Sequence, residues 1–473
     1  MVLAHTIVYA LARGVPAALN FLAVAVFTRV LSPNEYGIYA VGAAAVGLVY
    51  SGAFQWLSLA AARFTVDQSA ARQQVKGAII RLFLWAGGLI VLAALVWLIV
   101  GDGRGLSALE VIIVAITALL YGWTEISLEL ARARFSPGSY CIGACLRALL
   151  FLGAGLVLTR AGLGGVGLLT ALLLANAAAS LILMREWRGA RRVTKSGQLT
   201  AITGYALPFT VIFACSYAIG SMGRFFLLWL HGDAAAGVYA AVYDVTWALV
   251  SLPLGVLNLA FYPAIVREFE RGEGNGAAVL LRQCGEVVIV TAVIMYSLAT
   301  FLATVIADVA LGSAFREHAQ EILGPVALAA ALYGVLVYYL WYGFHLARDT
   351  YGQIWIVGGS LLAGAPVTYF AIASFGLRGA AFASLATYVF MLIGVVGRRS
   401  TIRPSLDWKV LRRPLLVAGV LWLLLGSSSA WLSMGSNVIL VLYAGLSVAA
   451  TIGLCYVAEI QRFIAGKWSR PVG

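Results

Sequence analysis

The sequence predicts an all-α polytopic membrane protein of about 14 transmembrane helices, arranged as two six-helix bundles in pseudo-twofold tandem with two further helices at the C-terminal end. Three observations carry that prediction. Hydrophobic residues make up 62% of 473 and charged residues 11%, where soluble domains carry roughly 25% charged residues, and the mean hydropathy is +0.95. Windows of about 20 predominantly apolar residues, the length that crosses a bilayer as a helix, recur along the whole chain. The chain also repeats itself after 200 residues: Ser32-Pro33-Asn34-Glu35-Tyr36-Gly37-Ile38-Tyr39-Ala40 aligns without gaps on Gly232-Asp233-Ala234-Ala235-Ala236-Gly237-Val238-Tyr239-Ala240. Each copy of the shared Gly-(Ile/Val)-Tyr-Ala follows one apolar segment and opens another, the pattern of two related bundles in tandem.

In chain order the segments fall near 7–30, 36–62, 79–100, 108–131, 140–160 and 165–184, then 203–230, 236–266, 285–308, 322–347, 352–374 and 377–397, and last 414–433 and 437–460. The basic stretch from Arg185 to Lys195 separates the first six from the second six, which places one bundle at 1–195 and another at 196–400, with the appended pair and a tail at 401–473. Gly162-Leu163-Gly164-Gly165 before segment 6 parallels Gly376-Leu377-Arg378-Gly379 before segment 12, a turn signal at the same ordinal place in both halves. The junctions at 161–167 and 374–378 are short enough that the count is 12 or 14.

Lys and Arg alternate sharply between junctions. Arg63, Arg72, Lys76 and Arg81, the Arg185 to Lys195 run, Arg267, Arg271 and Arg282, the Arg398 to Arg413 run and the basic residues after segment 14 belong to a set of 24, against Arg104, Arg160, Arg316 and Arg378 in the opposite set. Basic residues stay on the cytoplasmic side, so both termini are expected there. The net charge of +13 is spread over short loops beside anionic headgroups, which argues for membrane lipids as the basic surface's partner and against nucleic acid. The first segment lacks a basic leader and a small-residue cleavage site and reads as a retained helix. Five cysteines lying in or beside segments suggest neither a disulfide framework nor a zinc site.

An ionisable residue inside a span costs about 2.5–3.5 kcal/mol on insertion scales and is a functional candidate by default. Arg13 in segment 1 shares a helical face with Asn20, with Pro16 between them as a candidate kink; Arg13 either lines a wet cavity or reaches to the headgroups. Arg147 lies in segment 5 with no opposite charge nearby in sequence. In segment 7, Arg224 shares a stripe with Tyr217 and Thr210. Segment 8 carries Asp244, Ser251, Asn258 and Tyr262 at helical spacing, a polar line that must face protein or water. Arg224 and Asp244 flank one outer loop, as a structural ion pair or as cavity groups. The stripe Gly47, Ser51, Gln55 and Ser58 in segment 2 reads as small-residue packing. Glu125 lies one turn deeper than Glu129, which pairs by spacing with Arg132; Glu125 and Asp244 are the candidates for ion coupling. Tyr338, Tyr342 and His345 share a face of segment 10 beside Tyr339 and Trp341, as an interfacial aromatic belt or as a sugar platform. There is no phosphate-binding loop, which excludes ATP as the direct energy source, no metal-ligand motif, and no loop longer than roughly 20 residues to hold a catalytic domain.

Leu31 to Ala40, and Arg224 followed by Gly237-Val238-Tyr239-Ala240, resemble the polysaccharide-transporter branch of the MOP superfamily, the Wzx-like O-antigen and exopolysaccharide flippases related to the lipid II flippase and to MATE exporters. The resemblance covers about residues 1–460 on short motifs. Where that family often has an Asp-Arg pair in its seventh helix, this chain has Gly223-Arg224, and no role is carried over for the missing Asp. The resemblance implies a MATE/MOP-like fold and a non-enzymatic protein of the bacterial inner membrane that moves undecaprenyl-pyrophosphate-linked oligosaccharide to the outer leaflet by alternating access. It implies no cofactor, H+ or Na+ as coupling ion, and a polysaccharide polymerase and chain-length regulator as partners. Arg13 and Arg147 would then meet the pyrophosphate from inside, and the headgroup would leave past Arg224. Alternatives are a MATE-like drug or metabolite exporter, a membrane-embedded polymerase or glycosyltransferase, and a non-transporting subunit of a secretion complex; deep charges that are mostly Arg favour an anionic substrate.

Overall fold

The computed structural model describes residues 2–65, 70–100, 106–134, 136–190, 196–272, 274–398, 404, 408–427 and 437–464, with side chains between Gly14 and Ile452 apart from some at helix ends. Among the described residues every regular element is helical. Helix α1 (Val2–Val30) runs unbroken with Pro16 inside it. At Ser32 a capping box starts α2 (Pro33–Ala53): the Ser32 hydroxyl accepts from the Glu35 N–H at 3.3 Å and Glu35 accepts from the Ser32 N–H at 2.9 Å, satisfying two of the donors a helix start leaves open. The second predicted segment breaks at Phe54, whose φ of −128° is not helical, and continues as α3 (Gln55–Phe64). Next come α4 (Ala70–Val100) and α5 (Ala108–Ala133), the latter opened by a second capping box between Ser107 and Glu110.

Glycines make the shortest junctions possible. Helix α6 (Pro137–Leu158) passes through a π-helical turn at Thr159–Leu163 into α7 (Gly164–Leu183), with Gly162 at φ 84° and Gly164 at φ 50°. After α8 (Ser196–Ala206), α9 (Phe209–Glu270) holds segments 7 and 8 and turns at Gly232, φ 82°. Gly223 and Tyr239, on opposite sides of that turn, are in contact, which only a reversal of direction allows. Helices α10 (Gly274–Phe301), α11 (Ala303–Ala310), α12 (Ser313–Arg316) and α13 (Ala319–Val335) follow, then a π-helical turn at Leu336–Leu340 and α14 (Trp341–Ala347). Helix α15 (Thr350–Gly397) holds segments 11 and 12 and reverses at Gly376, φ 55°, bringing Gly364 against Thr387. The chain closes with α16 (Trp408–Ser427) and α17 (Asn437–Ile464). Among the described residues eight helices are long and apolar enough to cross a membrane, and three of these continuous helical stretches, 137–187, 209–270 and 350–397, each carry two of the predicted segments.

The backbone corrects one register. Gly164 (φ 50°, ψ −136°) and Gly376 (φ 55°, ψ −126°) share a conformation open to glycine at no steric cost. Each is followed three residues on by a glycine with no room for a side chain, Gly167 and Gly379. The turn before segment 6 therefore matches its counterpart from Gly164, two residues later than the Gly-Leu-x-Gly alignment from Gly162 proposes.

The other repeat is a physical contact. A Cβ on Gly37 would fall 1.9 Å from the Asp233 carbonyl oxygen, and a Cβ on Gly237 would fall 2.1 Å from the Pro33 carbonyl oxygen. Pro33 and Asp233 are themselves partners in the 200-residue alignment. A contact from i to j repeated from j to i is what a twofold relation produces, so the pseudo-twofold arrangement reaches atomic detail where the first turns of segments 2 and 8 cross. Beside it the Thr28 hydroxyl accepts the Gly312 N–H at 3.0 Å, and the Tyr36 and Phe315 rings meet edge-on at 5.6 Å.

The chain packs as two compact units. The first comprises Met1–Val242, Ala310–His318 and Gln353–Thr387, and the second Tyr243–Val309, Ala319–Gly352 and Tyr388–Gly473. In the first, Phe54, Leu57, Ile79, Ile126, Leu130 and Trp187 form a core. At its basic end Lys76 is buried, and its ammonium donates to the Glu186 carbonyl and to the Arg188 carbonyl at 3.3 Å. Positive charge at a helix C-terminus caps open carbonyls in this way. In the second unit α16 packs on α10 through Val290, Ile294, Val417 and Leu421, with an Arg413–Glu286 ion pair at 2.8 Å. From Leu82 onward helix α4 is apolar all round, with Trp85 73% and Ile99 82% exposed, the expected surface when the surrounding solvent is lipid.

Candidate functional site

The deepest charge cluster lies in the first unit and starts from two close approaches. Gly122 of α5 lies against the Phe54 ring, where a Cβ would come within 2.5 Å, and Gly143 of α6 lies against Leu183 and Leu128. These contacts draw α5 onto the break after α2 and draw α6 onto α5. The Tyr50 and Tyr121 rings then meet edge-on at 5.1 Å, and the Arg147 guanidinium comes 2.5 Å from a Glu125 carboxylate oxygen. That guanidinium also lies 5.4 Å from the Tyr121 ring centroid. Both members of the pair stay part-exposed, at 23% and 22% of their side chains.

Several tyrosine hydroxyls surround this pair. Tyr50 shares a hydrogen bond with Ser58 at 3.2 Å. Tyr140 lies within electrostatic reach of Arg147, and Tyr217 within reach of Tyr121. Tyr217 comes from α9 and fits over Gly47, whose missing side chain leaves room for the phenol. The small-residue stripe of segment 2 thus acts through its glycine, and it brings a residue of the second sequence half onto the first.

Other candidates fall elsewhere. The side chain of Arg13 lies outside the described residues, while Asn20 is exposed. Arg224 is half-buried in the part of α9 belonging to the first unit; Asp244 and Ser251, also half-buried, begin the second unit. Asn258 accepts a hydrogen bond from the Tyr342 hydroxyl at 2.6 Å, and the Tyr262 ring lies 5.2 Å from Tyr342 and 6.0 Å from His345. The Asn258 and Tyr262 end of segment 8's polar line therefore meets segment 10. Tyr339, Trp341 and Tyr342 are buried, so the belt reading of that segment is corrected: the π-helical turn at Leu336–Leu340 inserts a residue and turns these rings inward. Asp308 is exposed in α11, and Glu129 pairs with Arg132 at 2.6 Å. Among the described residues no group of His, Cys, Asp and Glu has the geometry of a metal site.

The Arg147–Glu125 pair is what sequence reasoning missed. Both residues were singled out, yet 22 positions separate them, and nothing local signals that α5 and α6 meet there. The available signal was a shared depth: each lies inside its span, and an unpaired charge there is costly.

A multi-pass helical membrane protein with a paired charge inside its spans is the class these features define. A model of the family described as polysaccharide biosynthesis protein matches residues 2–269, and the chain belongs to that family. No curated protein sequence matches the chain. Among solved structures it is similar in fold to the lipid II flippase MurJ in an inward closed conformation, with a TM-score of 0.71 and 11% identity over 96% of this chain and 100% of that one. It is also similar to an inward-facing multidrug resistance MATE family transporter of the MOP superfamily (TM-score 0.56, 15% identity, 82% of this chain and 93% of that one) and to a mutant of the Vibrio cholerae MATE transporter VcmN (0.53, 14%, 83% and 95%). The MATE/MOP-like fold expected from the motifs is the fold found.

Proposed function

We propose that the protein is a flippase of the bacterial inner membrane, with both termini cytoplasmic, that moves undecaprenyl-pyrophosphate-linked oligosaccharide to the outer leaflet for O-antigen or exopolysaccharide synthesis. The observation that carries this reading is the conjunction of a polysaccharide biosynthesis family with a fold shared by a lipid II flippase. A part-exposed Arg inside a span supports an anionic headgroup over a cationic drug, because a guanidinium fork matches phosphate oxygens. The halves 1–195 and 196–400 would alternate, with the glycine crossing of Gly37 and Gly237 holding the outer end shut while a headgroup is loaded from inside. An H+ or Na+ gradient would supply the energy, with Glu125 or Asp244 as coupling group. Arg13, Asn20, Tyr217, Arg224, Ser251 and Asn258 are the further residues proposed to meet the headgroup, and a polymerase and chain-length regulator would receive the product.

The test is complementation of a deletion strain with wild type, Arg147→Ala, Arg224→Ala and Asp244→Ala at matched membrane levels, reading surface polysaccharide and lipid-linked intermediates. Loss of polysaccharide with intermediates accumulating on the cytoplasmic face is expected for the deletion and for Arg147→Ala. Unchanged polysaccharide and intermediates in the deletion strain would reject the reading and favour export of drugs or metabolites.

A further inference from the structure

Helix α6 carries two thiols one turn apart, Cys141 and Cys145, whose Sγ atoms are 3.8 Å from each other. Both are free and half-buried. At about 100° per residue they share an arc of the helix with Ile142 and Leu149, which are exposed, while Arg147 falls on the far side. With the helix starting at Pro137, both thiols lie within about 12 Å of its first residue. A direct bond between the sulfurs does not suit this placement, because Cβ atoms four residues apart on a helix are about 5–6 Å from each other and a disulfide needs about 3.5–4.5 Å. A third atom between them does fit. A centre bonded to both sulfurs at about 2.3 Å, the length of a zinc–thiolate bond, spans the 3.8 Å gap at close to the tetrahedral angle. Zinc itself takes four ligands in a structural site, and among the described residues no third His, Cys, Asp or Glu joins the pair. Two thiols on an apolar arc suit a centre that needs only two and carries no charge.

We propose that Cys141 and Cys145 form a capture site for trivalent arsenicals, neutral thiophilic species of the type R–As(OH)2. Two As–O bonds break and two As–S bonds form, and the two thiol protons leave with the hydroxyls as two molecules of water. Arsenic stays trivalent and sulfur keeps its oxidation state, so no oxidant or reductant takes part. Reactants and product are all uncharged, which suits an arc whose exposed residues are Ile142 and Leu149, because a bare thiolate or a cation is costly in lipid. The second As–S bond closes within one molecule, at the high effective concentration set by the 3.8 Å spacing, so the cyclic adduct outlasts one held by a single thiol. The site is independent of the flippase reading, since it lies away from Arg147 and uses none of the residues proposed to meet the headgroup.

The experiment treats the purified full chain in detergent with one equivalent of phenylarsine oxide, which hydrates to the R–As(OH)2 form. The adduct is then challenged with glutathione, a monothiol, or with 2,3-dimercaptopropanol, a dithiol, and read by intact mass and peptide mapping. Wild type is expected to carry one phenylarsenic group on Cys141 and Cys145, to keep it against excess glutathione and to release it to the dithiol. Cys141→Ser and Cys145→Ser are each expected to lose that resistance, with the glutathione concentration for half-release falling by about a hundredfold. Cys215→Ser and Cys284→Ser are expected to behave as wild type. The wild-type challenge and its mapping need no variant and stand even where a substitution weakens the fold. Release from wild type as easily by the monothiol as by the dithiol, an adduct that resists glutathione in either Cys141→Ser or Cys145→Ser, or an adduct mapped to other cysteines would each overturn the proposal.

Discussion

Placing a methyl group on either glycine of the crossing, Gly37→Ala or Gly237→Ala, must drive the first turns of α2 and α9's second segment apart. The added carbon at Gly37 would be 1.9 Å from the Asp233 oxygen and 2.6 Å from its carbonyl carbon, and the one at Gly237 2.1 Å from the Pro33 oxygen and 2.7 Å from the Gly37 nitrogen. Every atom met is backbone, so no rotamer change relieves the clash, and the helices have to separate by more than an ångström. Overpacking of this kind costs about 1–3 kcal/mol. The two substitutions are not independent, because separation forced by the first methyl already opens space for the second. A double-mutant cycle of apparent melting temperature in detergent should therefore show a coupling of about 1 kcal/mol in the compensating direction, where unconnected sites would add. If the single variants each cost less than about 0.5 kcal/mol, or the double variant costs the full sum, the reciprocal contact is not what holds this end of the chain together.

Two further outcomes follow from the backbone and from charge. Gly376→Ala puts a side chain at φ 55° and ψ −126° and should lower stability by about 1–2 kcal/mol, whereas Gly358→Ala in the same helix meets nothing within 4 Å and should be neutral or stabilising by up to about 1 kcal/mol; melting curves of the two variants decide it. In the turn between segments 7 and 8, burial, and then the nearby Glu110 charge, push the Asp233 carboxyl pKa up. The folded chain thus holds that proton more tightly than the unfolded chain, so this group's stabilisation is complete below the unfolded value of about 3.9 and is lost as pH rises through the raised folded value. Asp233→Asn should melt higher than wild type at neutral pH and show a flatter pH dependence above about pH 4; an unchanged profile would contradict the burial argument.

The Arg147–Glu125 pair gives the fold a chemical meaning that topology alone does not. A neutral pair within the spans avoids the cost of one buried charge, but desolvating both partners leaves little net stabilisation. That makes a purely structural role an inefficient use of two charged residues. An apolar pair of similar volume would pack α5 on α6 as well.

The sequence by itself determined the fold class, the positions of the spans and the existence of a repeat, because each depends on local quantities: apolar length against bilayer thickness, and residue identity 200 positions apart. Tertiary structure alone decided which spans touch. It paired Arg147 with Glu125, set Tyr217 over Gly47, turned Tyr339 and Tyr342 inward through one π-helical turn, and moved the second repeat's register from Gly162 to Gly164. Periodicity cannot supply these, because in a span that is apolar nearly all round the hydrophobic pattern does not say which face meets protein and which meets lipid. That choice is made by small residues and glycine backbone angles, whose effect exists only when a second helix arrives to use the space.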